Sequence, residues 1–174
     1  MFATLPVFTT LHLSAYAADE ADVAEVQTVF SQVPSYVASH AGGLSEDLAS
    51  RELADVTGRP GGFVFLLRRR SDERPLGFID AVLGEPDRET LQLCRVVIAE
   101  RCQRLGLGTE AYQGFESWVR REHPQVNAVV GSVKRGSKAG LDYWSHLGFH
   151  RTEMREMTWE GRTCEYWLVR KDLS

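Results

Sequence analysis

Gln103, Gly106 and Gly108 stand in the run Gln103-Arg104-Leu105-Gly106-Leu107-Gly108, between an apolar stretch and an amphipathic one. Two glycines let backbone N–H groups approach a ligand with no β-carbon in the way, and a helix starting there turns the positive end of its dipole toward the loop. That combination makes an anion site, suited to a pyrophosphate. Glycines at a strand–helix junction also serve turn geometry alone, so the spacing has to discriminate. Gly106-Leu107-Gly108-Thr109-Glu110-Ala111 fits the dinucleotide fingerprint G-x-G-x-x-A literally. A dinucleotide turn follows its strand almost at once, whereas residues 99–105 separate Ile98 from Gly106, and residues 126–133 carry no acidic group for a ribose. No G-x-x-x-x-G-K-[ST] occurs, which excludes a P-loop.

The spacing Q-x-x-G-x-G after a strand resembles the acetyl-CoA motif Q/R-x-x-G-x-G/A of the GCN5-related N-acetyltransferases, the GNAT superfamily. Downstream, Tyr143-Trp144-Ser145-His146-Leu147-Gly148-Phe149 resembles the F-Y-x-x-x-G-F signature of the same family. The resemblance covers residues 63–169 by motif and the first half by element order. It implies an α/β (α+β) fold, a mixed and mostly antiparallel sheet flanked by helices, in the order β-α-α-β-β-β-α-β-α-β-β. It also implies acetyl-CoA as acetyl donor, with the backbone of Arg104, Leu105, Gly106, Leu107, Gly108 and Thr109 on the pyrophosphate and Gln103 at the leading polar position. Strand edges at Val96 and Ile98 would bind the pantetheine and the acetyl carbonyl, one of them as oxyanion donor. Ser137 stands where the family often has asparagine, and Lys138 and Arg135 could meet the CoA phosphates.

The resemblance is incomplete where side-chain chemistry is needed. The tyrosine that often protonates the departing thiolate is Trp144 here, whose indole is no such acid, and the tyrosine has moved to Tyr143. Tyr143 is therefore either a relocated acid or a core aromatic. The family's strand carboxylate corresponds to Gln92, leaving Asp80 as candidate base, with Glu89 and Glu100 as further choices and His40 beside Tyr36 in the segment that would wall the acceptor. The implied activity is acetyl-CoA-dependent N-acetyl transfer to a primary amine of a small molecule, amino-acid derivative or peptide, by direct attack in a ternary complex. The alternative is a non-catalytic acyl-CoA-binding module of the same fold. Acceptor choice would rest with the first-half loop and the terminal hairpin, and a homodimer through the last strands rests on family analogy alone.

Composition agrees with that reading. The chain has 174 residues, 43% hydrophobic and 25% charged, enough for one core and one domain over residues 1–174. A net charge of −4 and a pI near 5.7 argue against nucleic acid as partner. Arg68-Arg69-Arg70 is balanced by Asp72 and Glu73 and reads as a solvated turn. Cys94, Cys102 and Cys164 are odd in number and form no C-x-x-C, so neither a disulfide framework nor a metal site is expected, and a reducing cytoplasm is. Residues 1–8 lack the basic flank of a signal peptide, and no apolar run reaches the ~20 residues that cross a membrane.

The elements that must position these groups follow from periodicity. Residues 9–13 alternate as a first strand, and residues 19–30 read as a helix with Val23, Val26 and Phe30 on one face. Pro34 breaks the pattern, leaving 31–43 as loop or irregular helix, and Ser45 is expected to cap a second helix through Val56. Strands follow over 63–68, 76–83 and 90–98, joined by short polar turns. After the loop, Ala111, Phe115, Trp118 and Val119 mark a helix face, and His123-Pro124 stops it. A strand over 126–133, parallel to its predecessor, a short helix capped by Ser137 and ending at Gly148, and a hairpin turning at Glu160-Gly161-Arg162 complete the chain.

Overall fold

The computed structural model describes residues 5–159 and 161–173; residues 1–4 of the leading segment and Glu160 of the expected turn lie outside them. Among the described residues the strands are β1 (Phe8–Thr9), β2 (Leu13–Ala18), β3 (Gly62–Arg69), β4 (Pro75–Leu83), β5 (Thr90–Ile98), β6 (Ala128–Lys134), β7 (His150–Trp159) and β8 (Arg162–Asp172). The helices are α1 (Val23–Ser31), α2 (Pro34–His40), α3 (Leu48–Thr57), α4 (Leu107–Glu122) and α5 (Lys138–His146). All strands join one sheet in the order β1-β2-β3-β4-β5-β6-β8-β7, antiparallel throughout except for β5 beside β6. Tight turns suffice between antiparallel neighbours, while the parallel pair needs the α4 crossover.

Each face of the sheet buries its own apolar set. Val26, Val29 and Phe30 of α1 and Leu53 and Val56 of α3 pack against Val64, Leu66, Phe78 and Val97. On the opposite face Ala111, Phe115 and Val119 of α4 and Trp144 of α5 meet Phe65, Ile79, Leu93 and Val129. The 3.6-residue spacing of the helical apolar residues and the two-residue alternation of the strands are what allow both faces to close.

Three details differ from the periodic reading. The first full strand is β2 rather than residues 9–13, because Thr10 closes a turn: its N–H donates to Leu13 O at 2.9 Å and its Oγ1 accepts from Leu13 N at 3.1 Å. Pro34 begins α2 instead of breaking the pattern, since a missing N–H costs nothing at the first helical position. Ser45 does not cap α3; its hydroxyl donates to Asp47 Oδ1 at 2.7 Å, and the helix starts at Leu48 with no side-chain cap.

Two irregularities shape β5. Asp80 pairs with Arg95 and Ala81 with Leu93, so Cys94 is an extra, unopposed residue, and a bulge of this kind bends the strand. Beside β6 the pairing runs only through Thr90↔Ala128, Leu91↔Val129 and Gln92↔Val130. Beyond these three pairs the two strands part, and a wedge opens between residues 93–98 and 131–134.

Candidate active site

The wedge presents backbone groups of β5. Ala99 N–H donates to Leu76 O at 2.8 Å, which turns residues 99 and 97 toward β4 and, by alternation, Val96 and Ile98 toward the wedge. Ile98 O is met there by Gln103 Nε2 at 2.8 Å, across a single 3₁₀ turn spanning Glu100–Cys102. Gln103 thus ties the loop back to the strand it follows. Arg104 and Gly106 both take the left-handed conformation, φ 61° and 82°. A β-carbon on Gly106 would meet nothing within 4 Å, so glycine is needed there for backbone freedom and not for space.

Helix α4 starts without a side-chain cap. Its first helical donor is Glu110 N–H, bonded to Gly106 O at 2.9 Å, so the N–H groups of Leu107, Gly108 and Thr109 precede the ladder at the positive end of a sixteen-residue helix. Gln103, Arg104, Leu105 and Gly106 are exposed in front of it. The exposed residues Gln103, Arg104, Leu105 and Gly106 and the half-buried Leu107, Gly108 and Thr109 thus form one continuous stretch of backbone at the uncapped helix start.

Tyr143 and Trp144 lie on the α5 side. The Tyr143 hydroxyl donates to Gly108 O at 2.9 Å, and its ring would be 3.3 Å from a β-carbon on Gly108. Burial raises its pKa well above the ordinary phenol range. The phenol proton is held at a backbone carbonyl, and the ring pins α5 to the first turn of α4. Trp144 is buried, edge-on to Phe149 with ring centroids 4.6 Å apart. Ser137 caps α5 by accepting from Gly140 N at 3.2 Å, and Lys138 is exposed and paired with Asp142 at 2.7 Å. Arg135 is paired with Glu165.

Asp80 is 0% exposed. Arg95 Nε donates to its Oδ2 at 2.7 Å, the adjacent Nη2 donates to the same oxygen, and Nη1 of Arg95 pairs with Glu52. Asp80 Oδ1 has no hydrogen-bond partner among the described residues. The candidate base is thus enclosed and paired with Arg95. Burial works against the Arg95 charge, but Asp80, Tyr36 and Glu52 more than offset it and hold the guanidinium protonated. Tyr36 is pushed up to about 12, by burial first, with Arg95 opposing and Asp80 adding. Cys94 at the bulge is also pushed up to about 12, chiefly by burial and then by Asp80, so its thiol is no nucleophile at neutral pH. Glu100 Oε1 is occupied by Ser35 N at 2.7 Å, Glu89 Oε2 by Asn127 Nδ2 at 2.8 Å, and Gln92 Oε1 accepts from Arg59 at 3.3 Å.

His40 is the last of the acid–base candidates named from the sequence. Its ring stacks on Tyr36, centroids 4.2 Å apart and planes 17° apart. Ser39 Oγ donates its one proton to Tyr36 O at 3.0 Å, so it can only accept from His40 Nδ1, 2.7 Å away. The neutral ring therefore carries its proton on Nδ1 and its lone pair on Nε2. Burial lowers the pKa below 6.5, a hydrogen bond to Tyr36 O opposes this, and Lys134 and Arg95 lower it further. Those two cations come from β6 and β5, the strands that flank the wedge. Nothing local in the sequence shows the stacking of His40 on Tyr36 or the Arg95–Glu52 pair, which joins β5 to α3 through space.

Residues 31–149 match the sequence model of the Acetyltransferase (GNAT) family. No curated protein shows a significant sequence match. An acetyltransferase from Thermus thermophilus superposes with a TM-score of 0.74 at 25% identity, over 94% of this chain and 99% of that one. The ribosomal-protein-S18-alanine N-acetyltransferase of Escherichia coli does so at 0.70 and 15% identity, over 93% and 94%, and the spermidine/spermine N-acetyltransferase of Vibrio cholerae at 0.67 and 10%, over 92% of each chain. The family match spans most of the chain and contains the parted strands, the glycine loop and α5: the chain belongs to the GNAT family of acetyltransferases.

Proposed function

We propose that the protein is an acetyl-CoA-dependent N-acetyltransferase that passes an acetyl group to a primary amine of a small molecule, amino-acid derivative or peptide within a ternary complex. The observation that carries this reading is the parting of β5 from β6 after Gln92, which leaves the β5 edge at Val96 and Ile98 unpaired with β6, together with the uncapped start of α4. Unpartnered N–H groups at a helix start suit a pyrophosphate, and an open strand edge suits the amides of a pantetheine arm. The residues present therefore fit the donor. When bound, acetyl-CoA supplies an acetyl group already activated as a thioester.

The chain has three tasks. Backbone N–H groups from Arg104 to Thr109 hold the diphosphate, with Gln103 fixing the loop against Ile98. Val96 and Ile98 donate along the wedge, where an N–H facing the acetyl carbonyl stabilises charge developing on its oxygen. His40 Nε2 takes the proton from the ammonium form of the acceptor, directly or through one water, because only the neutral amine has a lone pair to offer. We assign Asp80 and Glu52 to positioning: they hold Arg95, and Arg95 with Tyr36 sets the surface on which His40 stacks. Ser137 serves as a helix cap and Lys138 remains available to a phosphate only by leaving Asp142.

Among the described residues no helix is long and apolar enough to cross a membrane, and three free cysteines suit a reducing cytoplasm, where we place the protein. The two named relatives take a protein alanine and a polyamine, so both small and peptide amines are candidate acceptors here. A second reading, a non-catalytic acyl-CoA-binding module, is favoured by one observation: Trp144 stands at the tyrosine position while the Tyr143 proton is held by Gly108 O. Thiol release from acetyl-CoA, followed with a thiol reagent across a panel of amino acids, polyamines and peptide amines, separates the two. Amine-dependent release supports transfer; none across the whole panel supports the binding module.

A further inference from the structure

Gly131 is the first residue of β6 beyond its pairing with β5, and it carries no side chain at the point where the wedge begins. A β-carbon built there would lie 2.8 Å from Cη2 and 3.1 Å from Cζ3 of Trp144, and 3.3 Å from Leu93 O. The six-membered ring of the indole therefore occupies the space a side chain at 131 would fill, and Leu93 O of β5 borders that same space where the two strands separate. Trp144 is held there on its other sides by Phe149, edge-on at 4.6 Å, and by Tyr143, edge-on at 6.2 Å, and it is only 8% exposed. A ring so enclosed has no room to swing away.

The opposite, open end of the wedge is the end at which the loop and α4 would hold the diphosphate. A pantetheine arm entering from that end runs along Ile98 and Val96 toward residues 93 and 131, so its acyl group arrives last and points at the indole. We propose that Trp144, seated on Gly131, closes the acyl end of the wedge and restricts the donor to acetyl-CoA over longer acyl-CoAs. The inference rests on the donor assignment made above and adds the acyl group to it. One methylene too many in a closed apolar pocket is worth about 10- to 200-fold in discrimination.

The test compares dissociation constants of CoA, acetyl-CoA, propionyl-CoA and butyryl-CoA, measured by calorimetry without acceptor, for the wild type, Trp144→Phe and Trp144→Ala. The expected wild-type result is butyryl-CoA bound at least about 10-fold more weakly than acetyl-CoA. Trp144→Phe keeps an aromatic ring for Phe149 to pack on and shortens it, and the ratio should fall to within about 3-fold, with Trp144→Ala showing the same change if it folds. Equal wild-type binding of acetyl- and butyryl-CoA overturns the proposal, as does an unchanged ratio in a folded Trp144→Phe. Failure of every acyl-CoA and of CoA itself to bind the wild type overturns the donor assignment, and the proposal with it. Tight CoA binding without acyl discrimination overturns the proposal alone.

Discussion

Replacing Arg95 by Met should be the most costly single change on the α1–α3 face. Arg95 holds Asp80, which is 0% exposed, and Glu52, whose side chain is 12% exposed, while its own side chain is 18% exposed. Methionine fills a similar volume but leaves two carboxylates facing each other in an apolar setting bounded by Val26, Phe30, Leu53, Val64 and Phe78. Removing one partner of a buried pair costs about 3–5 kcal/mol, because the other charge stays buried without compensation. For a domain of this length that corresponds to a fall in Tm of about 6–20 °C. Asp80→Leu together with Arg95→Met removes both charges and should recover most of the loss, since apolar replacements of a buried pair are often neutral. Urea unfolding of the wild type, the two single variants and the double variant gives the coupling directly. A loss below about 1 kcal/mol in Arg95→Met, or additive single losses, would refute the view that this network is a closed buried pair.

Two further outcomes follow from the same geometry. His40 must be neutral to accept a proton and its pKa lies below 6.5, so kcat/KM should lose activity as pH falls through a value under 6.5, and His40→Gln should abolish that limb; a limb unchanged in His40→Gln contradicts the assignment. Gln103→Ala removes the bond to Ile98 O and should weaken CoA binding by about 2- to 12-fold, the equivalent of about 0.5–1.5 kcal/mol for one hydrogen bond, measurable by calorimetry; unchanged affinity means that the loop is held without it.

The stretches legible in the sequence are those whose stability is local. β3, β4 and β5 are apolar runs of β-branched and aromatic residues between polar turns, and α4 carries its buried face at regular spacing, so each declares itself in a short window. The glycine loop is legible because left-handed backbone at Gly106 restricts residue choice. α2 reads only as loop or irregular helix because its seven residues bury little beyond Val37, and proline is ambiguous between starting and stopping a helix. Periodicity misplaces the β1–β2 hairpin because Thr10 and Leu13 decide it by two hydrogen bonds, not by hydrophobicity.

The candidate site is legible where backbone is proposed to bind and obscure where side chains meet through space. Asp80 can be read as a strand carboxylate, but its enclosure by Arg95 and Glu52 depends on the bulge at Cys94 and on α3. Trp144 declares itself as a departure from the family signature, yet its seat on Gly131 is a contact between α5 and β6. Glycine within an apolar strand is the one available signal, since such a residue often marks the close approach of another group.

Acetyl-CoA held in the wedge and on the glycine loop should stabilise the fold, which thermal unfolding with acetyl-CoA, CoA and NADH reads. A ligand at about 100 times its Kd adds about 2.7 kcal/mol, which raises the Tm by about 5–11 °C for a domain of this size. Acetyl-CoA as the donor requires such a rise with acetyl-CoA and CoA and none with NADH. No shift with acetyl-CoA or CoA at millimolar concentration, or an equal shift with NADH, would contradict it.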